Sequence, residues 1–484
     1  MSARLVFADR DLPPAQFDEM VRRAASGMEA LGVGEADVAC LMLENEPAFL
    51  IAALAARLVG AYSCPINWHY RAEEAGWILR DSGAKLLFTS PKLKSQIAEG
   101  IPPGMALVED TESWAAAHAP WSGEPRAPRM SMPYTSGTTG RAKGVRRLPL
   151  QPHQAEKYRQ CLATALGIEP GMRAFLSAPL YHSAPAGYGL QTMLNADLLV
   201  LEPKFDAERT LALIEEHRLT HAYLVPTMYV RLLRLAEEAR KKYDVSSLRF
   251  VASTGSPCPP QVKRAMIEWL GPVFHEAYAA SEFGYVTAMS PEDSLRKPGS
   301  AGRPIGDAVV RILDRDGREL PRGEVGLIYV RQPAFPDFEY VNNDEARRAI
   351  ERDGLFSVGD MGRIDAEGYL YVSDRAADMV ISGGVNIYPA EIEAALALMP
   401  GVGDCAVFGI PDEEFGEGLC AAVQLEPGVQ LAAQDIQAFL RGKIAGFKVP
   451  RRIEFHDQLP REDSGKIFKR RLRAPHWEKA GRSI

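Results

Sequence analysis

Short β-type runs alternate with helical segments along most of this chain. Residues 38–43 and 85–88 form apolar runs of strand length, and they lie among segments 16–32 and 47–60, where Ala and Leu recur at helical spacing. Further on we predict strands 198–201 and 220–225 and helices 206–217 and 227–237. This alternation is typical of parallel sheets with helices packed on their faces. We therefore predict an α/β fold with helix-flanked sheets.

After Gly306 the alternation gives way to strands joined by tight turns. Asp316-Gly317 is a hairpin turn signal, and a second turn, ending at Gly368, precedes the predicted strand 369–373. Beyond Asp374 we predict an α+β unit with helices 389–399 and 433–444 and strands 404–409, 419–425 and 452–455. The pattern predicts a β-rich subdomain within a large first domain, residues 1–374, and a small second domain, residues 375–484.

The charge and the cysteines argue against several classes of protein. Across 484 residues, Lys plus Arg total 56 against 63 Asp plus Glu, so the net charge of −7 argues against a dedicated nucleic-acid binder. The cysteines form no C-x-x-C pair, so their spacing indicates neither a zinc site nor a disulfide framework, and a reducing compartment fits best. They are Cys40, Cys64, Cys161, Cys258, Cys405 and Cys420.

The chain shows no signal for secretion or for membrane insertion. Its first residues, MSARLVFADRDLPP, lack a basic region followed by a long apolar stretch. The longest apolar region, 47–60, is interrupted by Arg57 and is shorter than the roughly 18 to 20 apolar residues of a membrane helix. We therefore expect a cytoplasmic protein with no integral membrane segment.

Glycines and hydroxyl side chains crowd into residues 134–145, YTSGTTGRAKGV. Glycine permits close backbone approach, hydroxyl and N–H groups donate to phosphate oxygens, and Lys143 adds a positive charge. The segment is not a Walker A loop, because Lys does not directly follow the second glycine of the pattern. It predicts a phosphate-binding loop formed by Thr135, Ser136, Gly137, Thr138, Thr139, Gly140 and Lys143.

This segment resembles the phosphate-loop signature of the adenylate-forming superfamily. That superfamily includes acyl- and aryl-CoA synthetases, firefly-type luciferases and peptide-synthetase adenylation domains. Further motifs follow in the family's order: 178–183 (APLYHS), 254–257 (TGSP), 278–282 (YAASE), 357–360 (SVGD), 374–375 with 382–389 (SGGVNIYP), and 464–466 (SGK). The ordered set spans roughly residues 132–473 and is far more specific than any single motif. The resemblance implies that the second domain is mobile.

The resemblance also implies roles for particular side chains. Adenylation of a carboxylate develops negative charge, which cations and a divalent metal stabilise. Glu282, with Thr138, would hold Mg²⁺, and Lys466 would bridge the carboxylate and the α-phosphate. Asp360 and Arg375 would bind the ribose hydroxyls. The other implied nucleotide-binding residues are Gly255, Ser256, Tyr278, whose ring would pack on adenine, and Ser281.

The acid and CoA would occupy adjoining parts of the site. The resemblance implies that His182 shapes the acyl pocket and the thiol tunnel, and that Gly383 and Gly384 line the pantetheine tunnel. The expected pocket is mainly apolar and small, which favours a hydrophobic monocarboxylate: a fatty, steroid side-chain or aryl acid, hydroxycinnamates included. Its predicted lining includes Tyr181, His182, Tyr223, Thr254, Gly255 and Ala279.

Three positions depart from the family's usual residues. Ala377 stands at the usual hinge position, where Asp or Lys is common, and Ala279 and Ser281 replace Gly and Thr in the 278–282 motif. A hinge needs backbone torsional freedom more than a particular side chain, so rotation remains compatible with Ala377. Ser281 keeps a hydroxyl group.

The leading interpretation is a two-step acid–CoA ligase that uses ATP, Mg²⁺ and CoA. The acid would form an acyl-AMP, and CoA would then form the thioester. Three alternatives stay open: an enzyme that delivers the acid to a separate carrier protein, a luciferase-like oxygenase, and an inactive nucleotide-binding regulator. We expect small-molecule partners only, no nucleic acid, and a monomer or homodimer.

Overall fold

The structure is a computed structural model that describes residues 1–135, 142–376, 378–382, 385–461 and 467–479. The chain divides into two compact units. The first comprises Met1–Val310 and Tyr329–Val358, and the second comprises Arg311–Ile328 and Gly359–Ile484. The strand that ends at Arg375 pairs with the strand that begins at Asp360, so residues 359–374 group with the second unit. The domain boundary between 374 and 375 stays a prediction.

The helices are short to medium in length, and many begin at a proline or at a side-chain cap. At residue 206, for example, the Asp carboxylate accepts a hydrogen bond from the backbone N–H of Arg209. In chain order the described helices are α1 (Pro14–Ala30), α2 (Pro47–Leu58), α3 (Ala72–Asp81), α4 (Pro91–Ile97), α5 (Thr111–Ala116), α6 (Ala155–Leu166), α7 (Ser183–Asn195), α8 (Ala207–His217), α9 (Pro226–Leu233), α10 (Glu237–Lys241), α11 (Pro260–Leu270), α12 (Pro291–Arg296), α13 (Asp344–Ala349), α14 (Pro389–Leu396), α15 (Ala433–Arg441) and α16 (Lys469–Lys479).

The strands are mostly brief, apart from two long ones in the second unit. In chain order the described strands are β1 (Arg4–Phe7), β2 (Arg10–Leu12), β3 (Val38–Leu41), β4 (Tyr62–Pro65), β5 (Leu86–Phe88), β6 (Ala106–Val108), β7 (Tyr134–Thr135), β8 (Lys143–Arg147), β9 (Arg173–Leu176), β10 (Leu198–Leu201), β11 (His221–Tyr223), β12 (Phe250–Ser253), β13 (Phe274–Ala280), β14 (Gly284–Met289), β15 (Arg303–Pro304), β16 (Val309–Leu313), β17 (Gly326–Arg331), β18 (Phe338–Tyr340), β19 (Glu351–Arg352), β20 (Leu355–Phe356), β21 (Asp360–Ile364), β22 (Leu370–Arg375), β23 (Val380–Ser382), β24 (Val385–Ile387), β25 (Val402–Asp412), β26 (Gly416–Leu425) and β27 (Arg452–Phe455).

Two largely parallel sheets form the body of the first unit. The larger has the order β15-β14-β13-β12-β11-β9-β10-β1-β2, and the strands from β13 to β1 run parallel. The smaller has the order β4-β3-β5-β6 and is parallel throughout. A third sheet, β18-β8-β7, is antiparallel. The predicted helix-flanked parallel sheets are confirmed.

Helix α2 lies in the core of the first unit. Every residue from Pro47 to Ala56 is buried. A helix that is apolar on all sides is stable only where neighbouring elements cover it, and this explains the long apolar run in the sequence. Among the described residues, no helix combines the length and the apolar character needed to cross a bilayer.

Most predicted elements are present, with differences at their ends. The strands predicted at 198–201 and 452–455 coincide with β10 and β27. Strand β11, His221–Tyr223, is shorter than predicted at both ends, and Pro226 begins α9 as predicted. The helix predicted to reach residue 237 ends at Leu233, and α10 begins separately at Glu237.

The second unit is built on the long antiparallel pair β25 and β26, with β27 parallel to β26. Helices α14 and α15 cover one face through a core that includes Ile392, Val407 and Ile436. The other face carries a smaller core that includes Phe408 and Leu472 of α16. This α+β arrangement confirms the fold class predicted for the C-terminal part of the chain.

Asn45 joins the carboxyl ends of strands from the two parallel sheets. It follows β3, is buried, and its amide nitrogen donates to the carbonyl oxygens of Ser177 and Ala178 at 3.2 and 3.0 Å. Its amide oxygen accepts from the backbone N–H of Leu180 at 2.8 Å. One side chain therefore satisfies three backbone groups of the loop after β9, which carries Tyr181 and His182.

Replacing Asn45 should destabilise this junction. The Asn45→Ala variant leaves buried backbone groups unpaired, so we expect the free energy of unfolding to fall by about 2–4 kcal/mol. Urea unfolding followed by tryptophan fluorescence measures the change. Asn195→Ala is the matched control, because among the described residues the Asn195 amide bonds to Gln191 of its own helix. Its loss should stay under about 1 kcal/mol, and equal losses in both variants would contradict the role of Asn45.

Candidate active site

The predicted site residues of the first unit gather at one edge of the larger sheet. Strands β9, β11, β12 and β13 are parallel neighbours, so their carboxyl ends meet at that edge. Ligands of open α/β sheets bind outside the carboxyl ends of the strands. The residues at or just beyond these strand ends are Tyr181, His182, Tyr223, Thr254, Gly255, Ser256, Tyr278, Ala279, Ser281 and Glu282.

Glu282 is a buried carboxylate bonded to two hydroxyl groups. Glu282 is 6% exposed. The Tyr340 hydroxyl donates to Oε1 of Glu282 at 2.9 Å, and the Thr135 hydroxyl donates to the same oxygen at 3.4 Å. Burial, together with the Glu282 carboxylate, raises the pKa of Tyr340, so its hydroxyl stays protonated and remains a donor. Lys143 Nζ lies 5.2 Å from the centre of the Tyr340 ring.

The oxygen atoms around Glu282 fit a magnesium ion. Mg²⁺ prefers oxygen ligands and is usually bound by one or two carboxylates together with substrate phosphates. Glu282 supplies such a carboxylate beside the start of the predicted phosphate loop. Thr138, the second predicted metal-binding residue, lies outside the described residues.

Arg147 holds the backbone next to Glu282. Its guanidinium is buried and donates to the carbonyl oxygens of Ser281 and Pro336, each at 2.7 Å. Burial lowers the pKa of Arg147 to about 10, with Glu282 opposing the shift, so the side chain stays charged at neutral pH. Both carbonyls are thereby paired with a cation, which fixes the segment that carries the carboxylate.

The described part of the phosphate loop is anchored at both ends. Thr135 and Lys143 pair across β7 and β8. The Tyr134 hydroxyl donates to Asp81 at 2.7 Å, and the Trp77 indole donates to the carbonyl of Ala142 at 3.1 Å. Among the predicted loop residues, Ser136, Gly137, Thr138, Thr139 and Gly140 lie outside the described residues.

The loop after β12 is open where the nucleotide is predicted to bind. Gly255 has φ of +95°, which favours glycine, and its surroundings leave space on the side where a Cβ would point. Gly255 and Ser256 are exposed, and Tyr278 is half-buried with its ring centre 5.9 Å from that of Phe283. Ser281 lies within hydrogen-bond distance of Ser183, the first residue of α7, at 3.0 Å.

Aromatic side chains dominate the predicted acyl region. Tyr181 is buried and packs edge-on against Trp68, with ring centres 4.5 Å apart. Tyr223 is buried beside Tyr188, with ring centres 5.4 Å apart. The Tyr188 hydroxyl has no hydrogen-bond partner among the described residues. Thr254 is buried, whereas His182 and Ala279 are half-buried.

The second unit carries the predicted ribose-binding pair. Asp360 and Arg375 face each other across β21 and β22, and Arg375 Nε lies 3.4 Å from a carboxylate oxygen of Asp360. The carboxylate is mostly buried, and the guanidinium is about half-exposed. The pair can therefore present both acceptor and donor groups to a hydroxylated ligand. Ala377, Gly383, Gly384 and Lys466 lie outside the described residues.

A partly buried ion pair anchors the start of α16, three positions after Lys466 in the sequence. Lys469 Nζ lies 2.8 Å from Oε1 of Glu393. Burial raises the pKa of Glu393, and Lys469 opposes that shift. Asp374 accepts hydrogen bonds from the backbone N–H groups of Arg375 and Ala390 at 2.8 and 2.9 Å.

Arg147, Tyr340 and Asp81 support the predicted residues but belong to no recognised motif, so the motifs did not predict them. Arg147 lies just beyond the phosphate loop, so the run of basic residues at the end of β8 was an available signal. Tyr340 and Asp81 lie far from their partners in the sequence. Only the pairing of β18 with β8 and the packing of α3 bring them to the site.

Two family models match this chain. The model described as AMP-binding enzyme matches residues 3–335, and the model described as AMP-binding enzyme C-terminal domain matches residues 391–466. Together they take in Glu282, the phosphate loop and Lys466.

The chain is also similar to individual proteins along nearly its whole length. It is 34% identical over 468 residues to a feruloyl-CoA synthase of an Amycolatopsis species, covering 95% of this chain and 93% of that protein. It is 34% identical over 481 residues to an indoleacetate–CoA ligase of Aromatoleum aromaticum, covering 96% and 93%. The structure matches the o-succinylbenzoate CoA synthetase of Bacillus subtilis in complex with the acyl-adenylate OSB-AMP, with TM-score 0.84, 28% identity and coverage of 97% and 95%.

Replacing Arg147 should destabilise the first unit more than replacing its neighbour. In Arg147→Met the carbonyls of Ser281 and Pro336 lose their buried donor, so we expect a loss of about 2–4 kcal/mol in the free energy of unfolding. Arg146→Met is the control, because Arg146 forms a partly exposed ion pair with Glu339 and should cost under about 1 kcal/mol. Chemical denaturation of both variants provides the comparison. Similar losses of unfolding free energy in the two variants would show that the buried Arg147 charge does not hold the backbone at Ser281 and Pro336 in place.

Proposed function

The chain belongs to the AMP-binding enzyme family, and we propose that it is an AMP-forming ligase that joins an aromatic carboxylic acid to CoA. The observation that carries the proposal is the buried Glu282 carboxylate just beyond β13, which accepts hydrogen bonds from the hydroxyl groups of Tyr340 and of Thr135, the first residue of the predicted phosphate loop. Gly255, Ser256, Tyr278 and Ser281, which are predicted to bind the nucleotide, lie at or just beyond the ends of neighbouring strands.

The first step forms an acyl-AMP. A carboxylate oxygen of the acid attacks the α-phosphorus of ATP, the bond to the β-phosphate breaks, and pyrophosphate leaves. In this proposal Lys143 and the hydroxyl and N–H groups of the phosphate loop bind the phosphates, and Lys466 neutralises the charge that develops at the α-phosphate. Asp360 and Arg375 bind the ribose. A magnesium ion held by Glu282 and the phosphates would add positive charge there.

The second step transfers the acyl group to sulfur. The CoA thiol loses its proton to solvent and its sulfur attacks the acyl carbon, the bond to the phosphate oxygen breaks, and AMP leaves. We propose that His182, Gly383 and Gly384 line the path of the thiol. The second unit would move between the two steps, with residues near 375 as the pivot.

The aromatic side chains of the predicted acyl region and the names of two relatives support an aromatic acid as the substrate. Tyr223 and Tyr188 form a buried ring pair at the end of β11, and Tyr181 is held edge-on by Trp68. Aromatic rings pair favourably with other rings in offset or edge-to-face geometry. Relatives named for feruloyl and indoleacetate substrates cover nearly the whole chain. A cytoplasmic location, a monomeric or homodimeric state and the absence of nucleic-acid binding stay predictions.

ATP–pyrophosphate exchange tests the proposal. We expect exchange with ferulate and indole-3-acetate, weaker exchange with long-chain fatty acids, and release of AMP and a thioester once CoA is added. No exchange with any acid would exclude the enzyme. Exchange without transfer to CoA, combined with transfer to a carrier protein, would favour the carrier-directed alternative. Stronger exchange with fatty acids would overturn the choice of substrate.

Lys466→Ala should separate the two half-reactions. We expect exchange to fall by about 10²- to 10³-fold, the effect of removing one group that stabilises developing charge. Thioester formation from supplied acyl-AMP should stay unchanged, because that step does not involve the α-phosphate charge that Lys466 neutralises. Lys443→Ala, which removes an exposed lysine of the same unit, is the control and should keep both activities. Equal loss of both half-reactions in Lys466→Ala would contradict this division of roles.

A further inference from the structure

Three residues that bind metals in other proteins converge on the face of the second unit's sheet that α16 covers. Cys420 lies on β26, Glu454 on β27 and His476 on α16. Their sulfur, oxygen and nitrogen atoms all lie within 4.8 Å of one another. Cys420 is fully buried, and the other two are partly buried. None of these residues takes part in the proposed reaction.

The two oxygens of Glu454 have different surroundings. Oε1 accepts a hydrogen bond from Arg452 Nε at 2.7 Å, which orients the carboxylate. Oε2 lies 3.4 Å from Nε2 of His476 and 4.0 Å from Nε2 of His456. That His456 nitrogen is buried and has no hydrogen-bond partner among the described residues. Two imidazole nitrogens thus lie near the carboxylate oxygen that Arg452 does not bind, and the Cys420 sulfur lies within 4.8 Å of an oxygen of the same carboxylate.

The distance between His476 Nε2 and Glu454 Oε2 suits two ligands of a small ion with tetrahedral coordination. Zinc binds nitrogen and oxygen ligands at about 2.0–2.2 Å, so two such ligands on a tetrahedron lie roughly 3.4 Å apart. The His476–Glu454 distance equals that separation. A set of thiol, imidazole and carboxylate groups favours zinc over magnesium or calcium, which prefer oxygen ligands alone.

We propose that Cys420, Glu454 and His476 bind a zinc ion that fastens α16 to the sheet of the second unit. Zinc binding replaces the thiol proton: a zinc–sulfur bond forms and the proton leaves to solvent. The imidazole of His456, whose Nε2 lies 4.0 Å from Oε2 of Glu454, is the candidate for the fourth ligand. The ligands lie on three separate elements, which is why the cysteine spacing in the sequence indicated no zinc site.

Helix α16 contains a proline whose cost such a bond would offset. Pro475 lies inside it, removing one backbone hydrogen bond and crowding the preceding turn, at a cost of about 3 kcal/mol in an ordinary helix. The helix is held by Leu472 in the small core and by the Trp477 indole, which donates to the carbonyl of Gly409 at 3.1 Å. His476 lies between these two contacts, so a metal bond there would reinforce the turn that the proline weakens.

Metal analysis of the full-length, tag-free chain tests the proposal. After dialysis with zinc and then against zinc-free buffer, we expect one zinc ion per chain by elemental analysis. Cobalt added to metal-free protein should produce a thiolate-to-cobalt charge-transfer band. Cys420→Ala and His476→Ala should each lower the zinc affinity at least about 10-fold and abolish that band or weaken it. The matched control Cys405→Ala removes a cysteine of the neighbouring strand and should behave as the parent chain does.

Circular dichroism shows which variants are folded, and zinc affinities are compared only among those variants. Zinc should also raise the thermal unfolding temperature of the parent chain and of Cys405→Ala, and leave that of His476→Ala unchanged. A parent chain that retains no zinc, or a folded His476→Ala variant that binds zinc as tightly as the parent, would overturn the proposal. These readouts do not depend on ligase activity, so they stand apart from the test of the proposed function.

Discussion

The guanidinium of Arg147 is a buried charge around which the candidate active site is built. Taking a cation out of water is costly, and the cost is offset only where strong hydrogen-bond acceptors surround the charge. Here the acceptors are two backbone carbonyls, those of Ser281 and Pro336. The first belongs to the residue next to Glu282, so satisfying the guanidinium also fixes the backbone from which the carboxylate extends. The hydroxyl groups of Tyr340 and Thr135 then orient the carboxylate itself.

The two compact units hold different parts of the proposed machinery. The first unit carries the Glu282 carboxylate and the predicted aromatic acyl region at the strand ends of one sheet, and strands β7 and β8 of another sheet flank the predicted phosphate loop. The second unit carries the proposed ribose-binding pair, and a partly buried ion pair anchors its last helix, three positions after the predicted catalytic lysine. An enzyme that performs adenylation and thiol transfer in turn can use such a division, because groups needed in only one step need not stay in place for the other.

Much of the fold could be predicted because local patterns and tertiary packing agree. The apolar alternation predicted parallel sheets, and the uniformly apolar segment 47–60 corresponds to α2, which packing covers on every side. The ordered motifs pointed to candidate residues, several of which lie at or just beyond the ends of neighbouring parallel strands. Element ends were harder to predict where a helix stopped without a strong signal, as at Leu233, whereas Pro226 marked the start of that helix correctly.

The class of fold, the order of the motifs and the types of residue predicted to bind the nucleotide follow from the sequence, since periodicity, glycine-rich loops and motif spacing are local properties of the chain. The distant side chains that support these residues follow only from the tertiary structure. Arg147 reaches Ser281, Tyr340 reaches Glu282, and His476 reaches Cys420 because strand pairing and helix packing bring together residues far apart in sequence. Such contacts give no periodic pattern in the sequence, because they form only when distant parts of the chain pack against one another.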